Sequence, residues 1–264
     1  MSVSSGLLLV AAFPKFNLDF LGWVGLAPLL VALDRAPSWR RAAALSYLAG
    51  LVFFAGTHYW VRYTMVNYGG LGEMAATGVQ VAFAALLAIF FAAFGALAWL
   101  ILRLPERHLL WGIPALWVGC ELLRAHALTG LPFLLLGYAL ADHLLAAQLA
   151  RLGGVYLLSF LLALFSTGVL LVVRRPSRRR GFTLAAGFFV LAAASLASAW
   201  LPRPVAREPV YLVQSGLGMY ENWTAETLDA LLGELERRVL AAYARNQARP
   251  GLVVFPEMPA PLYY

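Results

Sequence analysis

Glu257 closes a run of apolar residues, Leu252-Val253-Val254-Phe255-Pro256, near the end of this 264-residue chain. A carboxylate at the end of a buried strand is costly unless it is paired or used, so Glu257 is the first candidate for a functional residue. The chain has one cysteine, Cys120, and one lysine, Lys15. Cys120 lies between Gly119 and Glu121 on an apolar stretch with no neighbouring histidine, where it reads as a small buried hydrophobe rather than a nucleophile. Glu121 and Arg124 stand three apart and can pair on one helix face. Ionisable residues in an apolar segment call for a functional hypothesis; here a structural ion pair outweighs substrate contact. His58, His108, His126 and His143 are scattered without ligand spacing, so no metal and no cofactor is expected. A single cysteine excludes an internal disulfide and a cysteine zinc site. Trp223, outside the apolar segments, reads as an aromatic anchor at a membrane interface.

The elements that must position these residues are dominated by apolar surface. The chain is 62% hydrophobic and 12% charged, with a mean hydropathy of +0.76. Soluble chains carry roughly 25% charged residues, so this composition belongs to a membrane protein. Ala42–Val61, Gly78–Leu102, Leu152–Val173 and Gly181–Leu201 each reach the ~20 residues that cross a bilayer. Leu109–Leu123 is a fifth span, extending through Ala125–Leu128 if Glu121 and Arg124 pair. Phe20–Leu33 is a short sixth, and Val3–Phe13 a tilted or re-entrant first helix. The last has no basic flank and no small-residue cleavage site, so it is not read as a removed signal.

The net charge of +7 invites a nucleic-acid reading, which its distribution excludes. Residues 1–201 hold 14 basic and 6 acidic residues, residues 202–264 hold 6 and 7. The excess sits in three loops: Arg35/Arg40/Arg41, Arg103/Arg107 and Arg174/Arg175/Arg178/Arg179/Arg180. The positive-inside rule puts all three in the cytoplasm. Two spans separate each pair of clusters provided Ala125–Ala147 does not cross, and its Gly130 and Pro132 agree with an outer loop or half-helix. Gly181–Leu201 then carries everything after it to the outside.

Composition shifts at Pro202-Arg203-Pro204, a linker over 202–208. Pro209–Gln214 predicts a short strand. Thr224 is a plausible N-cap, and Leu228, Leu231, Leu232, Leu235, Val239, Ala242 and Tyr243 mark the apolar stripe of a helix. Leu252–Phe255 is a second strand. One β-α-β unit calls for a parallel sheet, and a parallel sheet needs cover on both faces. The expectation is therefore of a chain truncated inside an extracytoplasmic α/β domain, with 1–201 as membrane domain and 209–264 as the opening of the second.

In order along the chain come Ala12-Phe13-Pro14, Gly50–Phe54 leading into His58-Tyr59-Trp60-Val61, Tyr68-Gly69-Gly70, Ala115-Leu116-Trp117, Glu121-Leu122-Leu123-Arg124, Thr129-Gly130-Leu131-Pro132 and Gly137-Tyr138. Val213-Gln214, Asn222-Trp223 and Val253-Val254-Phe255-Pro256-Glu257 follow. In this order and topology the chain resembles the bacterial apolipoprotein N-acyltransferases. Phe133 is a departure, standing where the family often has tryptophan. The resemblance implies a polytopic helical membrane bundle of about seven spans, followed by the first β-α-β portion of an α-β-β-α nitrilase-like domain on the periplasmic face of the bacterial inner membrane. It implies a Glu-Lys-Cys triad with Glu257 as its base, and Trp223 near the mouth that binds lipid. It also implies a phospholipid acyl donor, an apolipoprotein acceptor and a thioester intermediate. Neither Lys15 nor Cys120 matches the triad's other members, so the 264 residues alone are expected to be inactive. A transporter or lipid-binding membrane protein is the alternative from another class, though no internal repeat favours it. A membrane-anchored nitrilase-type amidase would share Glu257 but not the membrane motifs.

Overall fold

Pro14, Gly22, Gly25 and Pro28 interrupt the first apolar stretch, and the fold follows them. A computed structural model describes residues 1–127, 130–199, 210–214, 224–246 and 252–255. Helix α1 runs over Ser2–Ala12, a 3-10 turn over Asp19–Trp23, and α2, with Pro28 in its first turn, over Ala27–Asp34. At 1.5 Å per residue α1 and α2 are about 16 and 12 Å long, roughly half a bilayer core of ~30 Å. Phe20–Leu33 is therefore not one continuous span, as hydropathy alone suggested.

The remaining helices of this unit are longer. α3 covers Trp39–Thr57 with Ser38 as its N-cap, the hydroxyl accepting from the Arg41 amide at 3.3 Å. α4 covers Tyr59–Asn67, α5 Glu73–Ile101 and α6 Glu106–His126. A short 3-10 turn at Leu136–Leu140 and α7, Leu144–Ala147, precede α8 (Ala150–Arg174) and α9 (Arg178–Ala199). α8 is broken near its start, where Gly154 takes φ +65, a conformation that glycine adopts without a Cβ penalty. Among the described residues α5 and α8 are each long and apolar enough to cross a membrane. α3 and α4, bent by 46° at His58, add a third if the pair is one span. This apolar helical unit is that of a membrane protein. Between His126 and Ala150 no described helix exceeds five residues.

The core forms where α3 and α5 cross. Ala42, Ser46, Ala49 and Gly50 on one helix face Ala84, Ala88, Phe91 and Gly95 on the other. A Cβ on Gly95 would stand 2.7 Å from the Ala42 carbonyl oxygen, and one on Gly50 2.7 Å from the Phe91 ring. Small residues bring membrane helices this close because packing, not hydrophobicity, drives their association in lipid. Around this crossing Phe53, Phe54, Phe91, Phe94 and Trp117 pack tilted or edge to face with centroids 5.0–5.9 Å apart.

The chain divides into two units, Met1–Leu201 and Pro202–Tyr264. In the second, β1 (Val210–Leu212) pairs in parallel with β2 (Leu252–Val254), Tyr211 standing opposite Val253, and α10 (Ala225–Asn246) connects them. Tyr211 stacks on Tyr243 of α10 at 6.1 Å, and Leu231 and Leu235 are buried. On the alternate face Val210, Leu212, Leu252 and Val254 are exposed.

Candidate functional site

The two residues assigned by sequence to the reaction, Glu257 and Trp223, lie outside the described residues, as does the linker 202–208. What the structure describes is the approach to Glu257. β2 ends at Val254, whose carbonyl accepts from the Val213 amide at 2.9 Å, and Phe255 follows. The parallel pairing puts the carboxyl ends of β1 and β2 side by side. In open α/β sheets ligands bind beyond that end.

In the helical unit the ionisable residues of α6 are drawn into one place. Glu121 is 4% exposed and Arg124 5%. They do not form the ion pair expected from their spacing. Glu121 Oε1 accepts from Trp117 Nε1 at 2.9 Å and from the Leu136 amide at 2.6 Å. Arg124 donates to the carbonyls of Leu131 at 3.0 Å, Phe133 at 2.6 Å and Leu134 at 3.3 Å. Both side chains therefore turn outward along α6 to the non-helical segment that follows it. There unpaired backbone groups offer better geometry than a side-chain partner on the same helix. Ser159 of α8 completes the arrangement by accepting from the Gly137 amide at 2.9 Å. Glu121 and Arg124 thus clamp residues 131–137 onto α6 and α8.

Beneath the clamp is a cavity of about 20 Å³, lined by Phe53, Phe91, Trp117, Cys120, Glu121 and Arg124. It is large enough for one water. Glu121 Oε2 is buried without a hydrogen-bond partner. Cys120 is half-buried in this wall and no histidine lines it. His58 is fully buried elsewhere, Nδ1 facing the Phe54 carbonyl at 3.2 Å. Among the described residues no three His, Cys, Asp or Glu are placed to hold a metal. Sequence reasoning missed Trp117 and Ser159. Trp117 could have been found, since it stands four residues before Glu121 on the same helix face; Ser159, 22 residues from its partner, could not.

At the other end of the helical unit the three arginine-rich loops come together. Arg174 holds Asp34, with Nε on Oδ2 at 3.0 Å, and donates to the Leu102 carbonyl at 2.8 Å. Arg103 lies over the Trp99 ring at 3.5 Å and, like Trp99, donates to the Ala36 carbonyl at 2.9 Å. Arg180 pairs with Glu106 at 2.8 Å. The end carrying the Glu121 clamp has its own contacts: Lys15 over Tyr59, Asp19 with His143, and Arg62 with Glu73.

Comparison with known proteins adds what geometry alone does not. The profile described as the apolipoprotein N-acyltransferase N-terminal domain matches residues 5–168. A protein of Geobacter metallireducens named apolipoprotein N-acyltransferase is 32% identical over the whole of this chain and 51% of its own length. Those of Azotobacter vinelandii and Methylococcus capsulatus, with the same name, are 34% and 30% identical over 99% and 100% of the chain, and 51% and 52% of their own lengths. The chain spans about half the length of the curated relatives it matches. With its helical unit matched from the first helix into α8, the chain belongs to the apolipoprotein N-acyltransferase family.

Proposed function

We propose that this chain supplies the membrane domain and the opening of the catalytic domain of an enzyme that moves an acyl chain from a membrane phospholipid to the N-terminal diacylglyceryl-cysteine of lipoproteins. The observation that carries the reading is the family match over residues 5–168. In the proposed reaction a cysteine thiol, its proton taken by Glu257, attacks the ester carbonyl of the phospholipid. A thioester forms and a lysophospholipid leaves. The α-amino group of the acceptor then attacks the thioester, the amide forms and the thiol is regenerated. A lysine stabilises the oxyanion in both steps. The nucleophile and that lysine are absent from these 264 residues, whose one cysteine and one lysine lie in the helical unit. Residues 209–264 are the start of a nitrilase-like domain in this reading, with Trp223 near its lipid mouth. The arginine-rich end faces the cytoplasm of a bacterial inner membrane, and the tail lies on the periplasmic side.

The test is acyl-enzyme formation from labelled phospholipid, read as hydroxylamine-labile label. A protein carrying this chain together with the triad's lysine and cysteine should label; the 264-residue chain should not. In the former, Glu257→Gln keeps the shape and removes the basicity. A thiol with a pKa near 8.5 needs a base at neutral pH, and a positioned base is worth about 10²–10⁴-fold. Labelling should fall by at least about 10²-fold with expression unchanged. Labelling of Glu257→Gln at the parent rate would remove Glu257 from the reaction, and labile label on Cys120 would overturn the assignment of the nucleophile.

A further inference from the structure

Helix α6 packs against α8, the Trp111 and Phe160 rings 5.8 Å apart, but α9 does not close against this pair along its length. Between them runs a cleft of about 680 Å³, walled by Leu110, Leu164, Phe165, Leu184, Phe188 and Leu191. That volume is in the range of small-molecule ligand sites, ≈ 300–1,000 Å³. Its mouth is at the arginine end, where Arg107, Arg179, Arg180 and Ser177 reach it. The charges at the mouth are not spent equally. Arg180 is committed to Glu106 and to the Leu171 carbonyl at 2.8 Å. Arg107 uses only Nε, on His108 at 3.1 Å, and Arg179 engages only its backbone carbonyl, which accepts from Thr183; both side chains are exposed. The cleft is thus an apolar slot with two uncommitted guanidinium groups at one end.

We propose that this cleft binds an anionic phospholipid from the leaflet at the arginine end, one acyl chain in the slot and the phosphate at Arg107 and Arg179. Charge complementarity decides the occupant. An apolar helix filling the slot would leave the two exposed guanidinium groups at the mouth without an anionic partner. A lipid phosphate satisfies them, as in other basic pockets between membrane helices. The bound lipid is not the acyl donor of the proposed reaction. Its ester carbonyls lie at the arginine end, whereas α9 carries the chain away from that end before the tail begins. It acts as a wedge that keeps α9 seated against α6 and α8.

Gly187 provides the steric test, because it lines the cleft and a Cβ placed on it meets nothing within 4 Å. The purified chain in detergent is titrated with palmitoyl-oleoyl phosphatidylglycerol or phosphatidylcholine, and bound lipid is counted by native mass spectrometry. The parent should retain one phosphatidylglycerol, about thirtyfold in preference to phosphatidylcholine, given about 1 kcal/mol for each of the two arginines near an anionic lipid. The double variant Arg107→Gln/Arg179→Gln should lose that preference, and Gly187→Phe should lose both lipids. Arg40→Gln/Arg41→Gln, an equal charge loss at the same end but away from the cleft, should bind as the parent does. Equal retention of the two lipids by the parent overturns the proposal, as does equal loss in both arginine pairs. If Gly187→Phe does not elute as the parent does, the arginine pairs decide alone. Loss of the lipid in a longer protein containing this chain would assign the cleft to polypeptide and also overturn it.

Discussion

Glu121 accepts from two buried donors, the Trp117 indole and the Leu136 amide. Each buried donor left unsatisfied costs about 1–3 kcal/mol. Glu121→Ala is therefore expected to destabilise the helical unit by about 2 kcal/mol or more, read as a lowered unfolding temperature in detergent. Glu121→Gln keeps a carbonyl oxygen at the same place and should lose far less. Equal losses in the two variants would mean that charge, not the acceptor, is what the site needs. Arg124→Lys is the companion case. One ammonium cannot reproduce a planar fork aimed at three carbonyls, so residues 127–149 should become more susceptible to protease. The sequence placed both residues on one helix face and suggested that they pair, since spacing of three is all that helical periodicity can read. Apart from Trp117 on the same helix, their partners lie 7 to 15 residues on, beyond the end of α6, where helical periodicity does not reach.

Elements were legible in proportion to the length of their apolar runs. The runs that became α5 and α8 are uninterrupted by charge, as are Ala42–Val61 and Gly181–Leu201. Phe20–Leu33 misled because hydropathy averages over the segment, whereas the backbone leaves the 3-10 turn after Trp23 and enters α2 only at Ala27. The tail's strands were visible as short apolar runs around an amphipathic helix, and their parallel register follows from the helix between them. Less visible was the closeness of α3 and α5, which depends on which small residues face each other. Gly95 gives the test. Its added Cβ would run into Ser46 Oγ and stand 2.7 Å from the Ala42 carbonyl oxygen. A serine can rotate but a helix backbone cannot, so Gly95→Ala must push the helices apart. Overpacking of this kind costs typically about 1–3 kcal/mol. Gly119→Ala, which meets nothing within 4 Å on α6, should leave the unfolding temperature unchanged or raise it, as expected for alanine in a helix. Gly95→Ala as stable as the parent would show that the two helices do not cross this closely.

For the whole molecule the arginines carry the orientation. Loops distant in sequence, around Asp34, Arg103 and Arg174, are joined by ion pairs and carbonyl contacts at one end of the helical unit. All five arginines of residues 174–180 lie at that same end or in the turn beside it. By the positive-inside rule a surface so basic is expected on the cytoplasmic side, because translocating each arginine is unfavourable. α9 leaves this end and leads into the tail. Ser177 is accordingly expected inside the cell and residues 202–264 outside it. A reporter active only in the periplasm, fused after Leu201, should give signal, and the same reporter fused at Ser177 should give none. Replacing the cluster at 174–180 with glutamine should weaken the contrast, since that cluster supplies the largest share of the bias. Signal at Ser177 with silence after Leu201 would invert the protein and overturn the proposed placement of the tail.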